Sequence, residues 1–347
     1  MFQRRLTGVL LAVVASGGVL AACAEPTENS NAAEDNTAAA QEKTTLTVYT
    51  SEPEEKVDAI NALFSEQYPD IEVEVYRAGT GDLNARIAAE KESGKIEADV
   101  LWAADAATFE KYAASNDLSE LEGVDTEQVI EEARDPENYY VGTRIIPTVI
   151  AYNTSVISED EAPKSWQDLV DPKYSEKIVL PNPAVSGAAA FNASVWKNDP
   201  ALGEAWIKAL GQNTPMIAES NGPTSQEIAS GSRPVGIVVD YLVRDLAAKG
   251  SPIAISYPTE GVPYITEPAG VFEASENKEA AQTYINFLLS KEAQSLAVEQ
   301  SYLPVRNDVK TPEGVPALED ITLMKQDLEK ITADKEAAVK VFQDSVA

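Results

Sequence analysis

Apolar and polar positions alternate from Thr45 to Thr50, with Leu46, Val48 and Thr50 on one side and Thr47 and Tyr49 on the other. This period of two predicts a strand. The pattern then changes to helical spacing: Val57, Ile60, Leu63 and Phe64 form one stripe, preceded by Ser51 as a cap, Pro53 near the first turn, and Glu52, Glu54 and Glu55 at the positive helix start. Alternation resumes from Ile71 to Tyr76. The turn Gly79-Thr80-Gly81-Asp82 leads into a second helix carrying Leu83, Ile87 and Ala88. Ala98 to Trp102 is continuously apolar enough for a buried strand, and Ala103-Ala104-Asp105 precedes a helix with Phe109 and Tyr112.

Three strand–helix units in succession predict a doubly wound α/β lobe with largely parallel strands. A second series follows. Ile178 to Leu180 is a short strand, Pro181 to Ser186 a loop, and Gly187 to Trp196 a helix; Pro234 to Val239 is a strand that delivers Asp240 and Tyr241 to another helix. Ile145 to Asn153 is apolar and extended, as a crossover strand would be, and Tyr264 to Phe272 can cross back. Ala281, Tyr284, Ile285 and Leu288 then mark an amphipathic helix. The expected architecture is α/β, with two doubly wound lobes and a ligand cleft between them. Ligands collect at the carboxyl ends of such strands, which puts Ser51, Thr80, Gly81, Asp105, Ser186, Gly187, Asp240 and Tyr241 on the facing rims.

The first residues follow a different pattern. Arg4 and Arg5 precede an apolar stretch from Leu6 to Leu20, too short to span a bilayer comfortably, and Leu20-Ala21-Ala22 leads to Cys23, the only cysteine in 347 residues. Residues 1–22 are expected to be a secretory signal. The Leu-Ala-Ala-Cys run resembles a bacterial lipobox, which implies cleavage before Cys23, acylation of its thiol, and a membrane anchor. Residues 23–43 carry almost nothing large and apolar and are expected to form a flexible tether. The folded part is then expected to divide at 44–147 for lobe 1, 148–265 for lobe 2, and 266–347 for a return to lobe 1. It is expected to work outside the cytoplasm.

Composition removes whole classes of chemistry. The chain contains no histidine, so Ser-His-Asp and Cys-His catalysis, HExxH zinc sites and every imidazole metal site are excluded. With Cys23 committed to lipid, thiolate chemistry goes as well, and any metal must take oxygen ligands. The net charge of −30, with no concentration of Lys or Arg, argues against nucleic acid as a partner. A small anion can still bind at helix starts, where backbone N–H groups supply the field. Carboxylates are numerous, so a carboxylate-dependent surface glycosidase is a remote alternative, although no spacing identifies its catalytic pair.

The ordered motifs add a resemblance. Leu46-Thr47-Val48-Tyr49-Thr50, Ala98-Asp99-Val100-Leu101-Trp102, Ala151-Tyr152-Asn153-Thr154, Ser165-Trp166-Gln167-Asp168-Leu169 with Asp171-Pro172-Lys173-Tyr174, Pro183-Ala184-Val185-Ser186-Gly187, and Leu303-Pro304-Val305-Arg306 resemble periplasmic-binding-protein-like type II solute receptors of ABC importers. The nearest branch looks like the ferric-ion, phosphonate and sugar-phosphate group. The resemblance implies a non-enzymatic, monomeric receptor that captures a small solute by lobe closure and hands it to a membrane permease. It also implies where ferric ligands would fall. The histidine position is Pro53, the acid position is Ala104 with Asp105 beside it, and of two adjacent tyrosines only Tyr241 remains, followed by Leu242. An organophosphonate or phosphorylated compound is therefore the expected ligand, with Asp105 or Asp240 pairing any ammonium. Ferric iron on Tyr241, Asp105 and a bound anion is the alternative, and no cofactor is expected.

Overall fold

The computed structural model describes residues 43–317 and 320–346. The expected signal, Cys23, and the tether up to residue 42 lie outside the described residues. The first lobe grows from β1 (Thr44–Thr50), which pairs in parallel with β2 (Ile71–Arg77) on one side and with β3 (Val100–Trp102) on the other. Its alternation sends side chains to two separate cores. Leu46 and Val48 pack with Val57, Ile60 and Phe64 of α1 (Glu54–Gln67), whereas Tyr49 joins Leu83 and Ile87 of α2 (Thr80–Ser93) and Phe109 of α3 (Ala106–Ala114). Helices thus cover both faces of the sheet. The short strands β4 (Leu118–Ser119) and β5 (Tyr140–Gly142) complete this part of the lobe.

The chain leaves through β6 (Arg144–Asn153), ten residues long and buried throughout. The second lobe follows as β7 (Ile178–Pro181), α4 (Gly187–Asn198), α5 (Gly203–Gln212), β8 (Met216–Ala218), α6 (Asn221–Ser230), β9 (Val235–Val239), α7 (Asp240–Ala248) and β10 (Ile253–Ser256). The return runs through β11 (Tyr264–Ile265) and β12 (Pro268–Phe272) to α8 (Lys278–Leu288) and α9 (Lys291–Glu299), which cover lobe 1. A last crossing at β13 (Leu303–Pro304) leads to α10 (Leu328–Val346).

Two features depart from the sequence expectation. The sheets, ordered β2-β1-β3-β12-β4 and β10-β6-β9-β7-β8, each contain an antiparallel strand contributed by a crossing segment: β12 beside β3, and β6 beside β9. An outgoing or returning strand enters its sheet against the direction of the βαβ units, so the sheets are mixed. The C-terminal helix also does not return to lobe 1, because α10 packs mainly on α4 and α5 of lobe 2. Its Phe342 stacks on Trp196, which with Trp166 and Trp206 forms an aromatic cluster in that lobe's core.

The lobes meet backbone to backbone beside the cleft. Gly81 N–H donates to Val185 O at 3.3 Å, and a Cβ on Gly81 would lie 2.0 Å from Ala184 O. A Cβ on Gly187 would lie 2.6 Å from Thr80 Oγ1. No residue but glycine allows this approach, so the facing Gly79-Thr80-Gly81 and Ser186-Gly187 segments are steric requirements for closure. Gly81→Ala places its methyl in the N-terminal turn of α2, where alanine favours the helix, yet pushes the lobes apart by about 1 Å or more. Small-angle scattering should therefore show a larger radius of gyration for Gly81→Ala than for the wild type, with cooperative unfolding retained. Superimposable profiles would mean that this contact does not limit closure.

Candidate functional site

Between the lobes lies a cavity of about 470 Å³, lined from lobe 1 by Ser51, Glu52, Arg77 and Thr80 and from lobe 2 by Ser186, Glu219, Ser220 and Asn221, with Tyr241 and Glu267 alongside. Its lobe 2 wall is made of helix starts. Ser186 caps α4, accepting from Ala189 N at 3.3 Å, while the N-caps of α6 and α7, Ser220 and Val239, supply no side-chain cap. Asn221 ties the three starts together: its Nδ2 donates to Ser186 Oγ at 2.9 Å and its Oδ1 accepts from Val239 N at 3.3 Å. Because Ser186 Oγ only accepts in these bonds, its own proton is free to donate into the cavity. Gly222, in the first turn of α6, faces open space. Across the cleft Thr80, at the start of α2, holds a buried hydroxyl without a protein partner. Arg77, at the end of β2, spends one N–H on Glu52 O at 3.0 Å. Converging N–H groups, hydroxyls and one guanidinium make a wall that accepts anionic oxygens.

The floor is charged and buried. Arg144 is 1% exposed and reaches Glu52 Oε2 at 2.5 Å and Glu267 Oε2 at 3.2 Å, with the rings of Tyr302 and Trp102 against its guanidinium at 4.2 and 4.7 Å. Tyr302 donates to Glu52 Oε2 at 2.8 Å and packs on Tyr241, ring centroids 4.3 Å apart. Burial and the neighbouring charge of Glu52 push the Glu267 carboxyl well above its ordinary range. Glu267 also sits at φ +44°, in the left-handed region that disfavours a side chain. Tyr241 is raised as well, first by burial and then by Glu52 and Glu267, so its phenol keeps its proton.

Of the eight residues expected on the rims, Ser51, Thr80, Ser186, Gly187 and Tyr241 line this cavity. Three do not. The Asp105 carboxylate is buried on Thr108 N at 3.0 Å, capping α3, and on Lys335 Nζ at 2.7 and 2.8 Å. Asp240 is buried against Arg244 at 2.7 Å on its own helix, where burial raises its pKa. Gly81 spends its N–H on Val185. Ser51 does not cap α1 either: Pro53 holds that position. Periodicity fails to find Arg77, Glu219, Ser220, Asn221 and Glu267. Arg77 was within reach of the rule that sites gather at strand ends, but β8 is three residues long and gives no pattern that would expose α6 behind it.

Two mixed α/β lobes joined by crossing strands around a polar cavity define a binding protein that takes its ligand between the lobes. The bacterial extracellular solute-binding protein family matches residues 96–332, and the chain belongs to that family. It is similar to a putative 2-aminoethylphosphonate-binding periplasmic protein of Salmonella typhimurium, 29% identical over 262 residues that make up 69% of this chain and 71% of that protein. Among solved structures, iron-bound HitA from Pseudomonas aeruginosa aligns with a TM-score of 0.78 at 22% identity, covering 88% of this chain and all of that one. AfuA from Actinobacillus pleuropneumoniae with fructose-6-phosphate bound aligns at 0.79 and 22%, covering 88% and 99%. These likenesses establish the type II periplasmic-binding-protein fold. The chain is an extracytoplasmic solute-binding protein of an ABC importer, a transport component and not an enzyme.

The floor generates a stability prediction. Arg144→Met leaves Glu52 and Glu267 buried side by side without their shared cation, and breaking a buried pair in this way costs about 3–5 kcal/mol. Denaturant unfolding at neutral pH measures it. A loss below about 1 kcal/mol would show that the two carboxylates do not depend on Arg144.

Proposed function

We propose that this protein is a lipid-anchored receptor that captures an organophosphonate or a phosphorylated small molecule and delivers it to its permease. The observation that carries this reading is Asn221, which binds the starts of α4, α6 and α7 into one donor wall opposite Thr80 and Arg77. Phosphoryl oxygens are suited to such a wall, because each accepts several N–H or O–H donors and carries the charge that helix starts favour. Glu52 and Glu267 present carboxyl oxygens at the floor, so an ammonium at the far end of the ligand also finds partners. The Salmonella relative named for 2-aminoethylphosphonate and the fructose-6-phosphate bound to AfuA agree with this chemistry.

Ferric capture is less well supported. A ferric site on Tyr241 needs neighbouring oxygen ligands, and Glu52 and Glu267, the carboxyls nearest to it, are already held by Arg144. Asp105, the other ligand in that alternative, is already held by Lys335. Among the described residues, no group of three or more Asp, Glu, His or Cys side chains is placed to hold a metal ion.

Thermal-shift and calorimetric titration with 2-aminoethylphosphonate, fructose-6-phosphate and ferric citrate should show stabilisation by a phosphorus-containing probe, because a ligand that binds only the folded state raises the melting temperature. Asn221→Ala should weaken that binding by about 1–3 kcal/mol, the usual cost of unmaking buried or charged hydrogen bonds. If only ferric iron binds, with a visible tyrosinate band that Tyr241→Phe abolishes, the phosphonate reading is wrong and the ferric one replaces it.

The anchor is proposed from Cys23 and tested separately. Cys23→Ala should appear in the soluble fraction of cells that retain the wild type in carbonate-washed membranes and label it with fatty acid. A wild type that takes up no label would overturn the lipid anchor.

A further inference from the structure

The C-terminal helix α10 carries two kinds of contact on two faces. One face builds it into lobe 2: Ile331, Ala338, Phe342 and Val346 are buried, and Phe342 stacks on Trp196. On the same side, Lys197 pairs with Asp334 at 2.6 Å, and the backbone at Ser345 lies so near Gly211 that a Cβ there would be 1.7 Å from Ser345 O. The other face touches lobe 1 through charged side chains. Lys335 Nζ binds both carboxylate oxygens of the fully buried Asp105, at 2.7 and 2.8 Å, and Thr108 Oγ1 at 2.9 Å, while the more exposed Glu336 pairs with Lys111 at 2.8 Å.

The helix therefore spans the side of the cleft where α2 and α3 meet α4, roofing a groove of about 410 Å³ that ends at Thr80 and Gly187. Moving the lobes apart along that side must break the Lys335–Asp105 bond. Breaking it leaves lobe 1 intact, because Asp105 still caps α3 through Thr108 N. Lys335 in turn would extend into water from a helix that Phe342 and Trp196 continue to hold. An ion pair that each lobe can do without is suited to making and breaking.

We propose that α10 is a strap built into lobe 2 that hooks lobe 1 through Lys335 and Asp105 and so holds part of the population closed before any solute arrives. Closure then depends on two contributions, the strap and the solute, and the strap sets how much of the solute's binding free energy closure consumes. Lys56 and Asp245, paired at 2.9 Å between α1 and α7, and Gly81 N–H on Val185 O also link the lobes, so the strap biases closure without being the sole link.

The test needs no ligand, so its outcome is independent of the phosphonate reading. In the full chain carrying Cys23→Ser, spin labels are placed through Glu92→Cys on α2 and Lys208→Cys on α5, both exposed positions, and the inter-lobe distance is read by double electron–electron resonance. The wild-type background should show a short and a long distance. Lys335→Gln and Asp105→Asn should each lower the short-to-long ratio about 10-fold, the size of one charge-assisted hydrogen bond. Lys340→Gln, which removes only a pair to Asp344 within α10, should leave the ratio unchanged. Asp105→Asn keeps an oxygen for Thr108 N, and thermal unfolding of each variant confirms that α3 and α10 remain folded. A wild type with only the long distance, or ratios unaltered in both strap variants, overturns the proposal.

Discussion

One guanidinium lies where the two lobes are joined. Arg144 is the first residue of β6, at the point where the chain leaves lobe 1; Glu267 stands between β11 and β12, where it returns; Tyr302 precedes β13, the third crossing; and Glu52 belongs to the turn after β1. Three crossings and one rim of lobe 1 are thus fixed to a single buried charge. Two acids around one arginine, out of water, are a poor source of net stability, since desolvation consumes most of the Coulombic gain. Their value is geometric. Each crossing segment has one position at which its polar side chain is satisfied, so the lobes turn about a point that does not drift. The left-handed backbone of Glu267 is consistent with this, because such a conformation persists only where surrounding contacts dictate it.

The same cluster links hinge to cavity. Glu52 and Glu267 form part of the cavity floor, and Tyr241 contacts both Tyr302 and the cavity. A ligand resting there touches groups that also hold the crossing strands, while its anionic end meets the helix starts tied by Asn221. Closing then brings Gly81 against Val185, which only glycine permits, and seats the solute between donors from both lobes. Binding and closure draw on one set of contacts.

How much of this was legible in the sequence depends on the length of each signal. Long, strongly periodic elements were plain: β1, α1, β2 and α2 follow the alternation and stripes of their residues, and the two-lobe α/β plan follows from their order. The direction of β6 and β12 was not, because an apolar run says nothing about which neighbour it will lie against. At the site, Thr80, Ser186 and Tyr241 were found from their position at strand and helix ends, whereas Asp105 and Asp240 sit at equally good positions and turn inward. Their partners explain the difference. Arg244 lies one turn further along the same helix as Asp240, but Lys335 comes from 230 residues away, and no local pattern announces it. Glu52 and Glu267 were hidden for the same reason, since an acid reads as solvated until its buried arginine is placed beside it.

The charge of the whole molecule and the chemistry of the cavity point in opposite directions, and distance reconciles them. A net charge of −30 repels an anionic solute in free solution, but at physiological ionic strength surface charges are screened beyond about 8 Å. Inside the cleft the nearest groups decide. There the solute meets N–H groups, hydroxyls and Arg77 on the walls, and finds carboxylates only at the floor and at Glu219. An ammonium placed toward those carboxylates converts the local acidity from a penalty into a contact. A zwitterion satisfies both ends at once, whereas a simple dianion leaves the carboxyl oxygens at the floor without a donor. The acidic surface therefore says little about the ligand, while the donors on the walls and the carboxyl oxygens at the floor say a good deal.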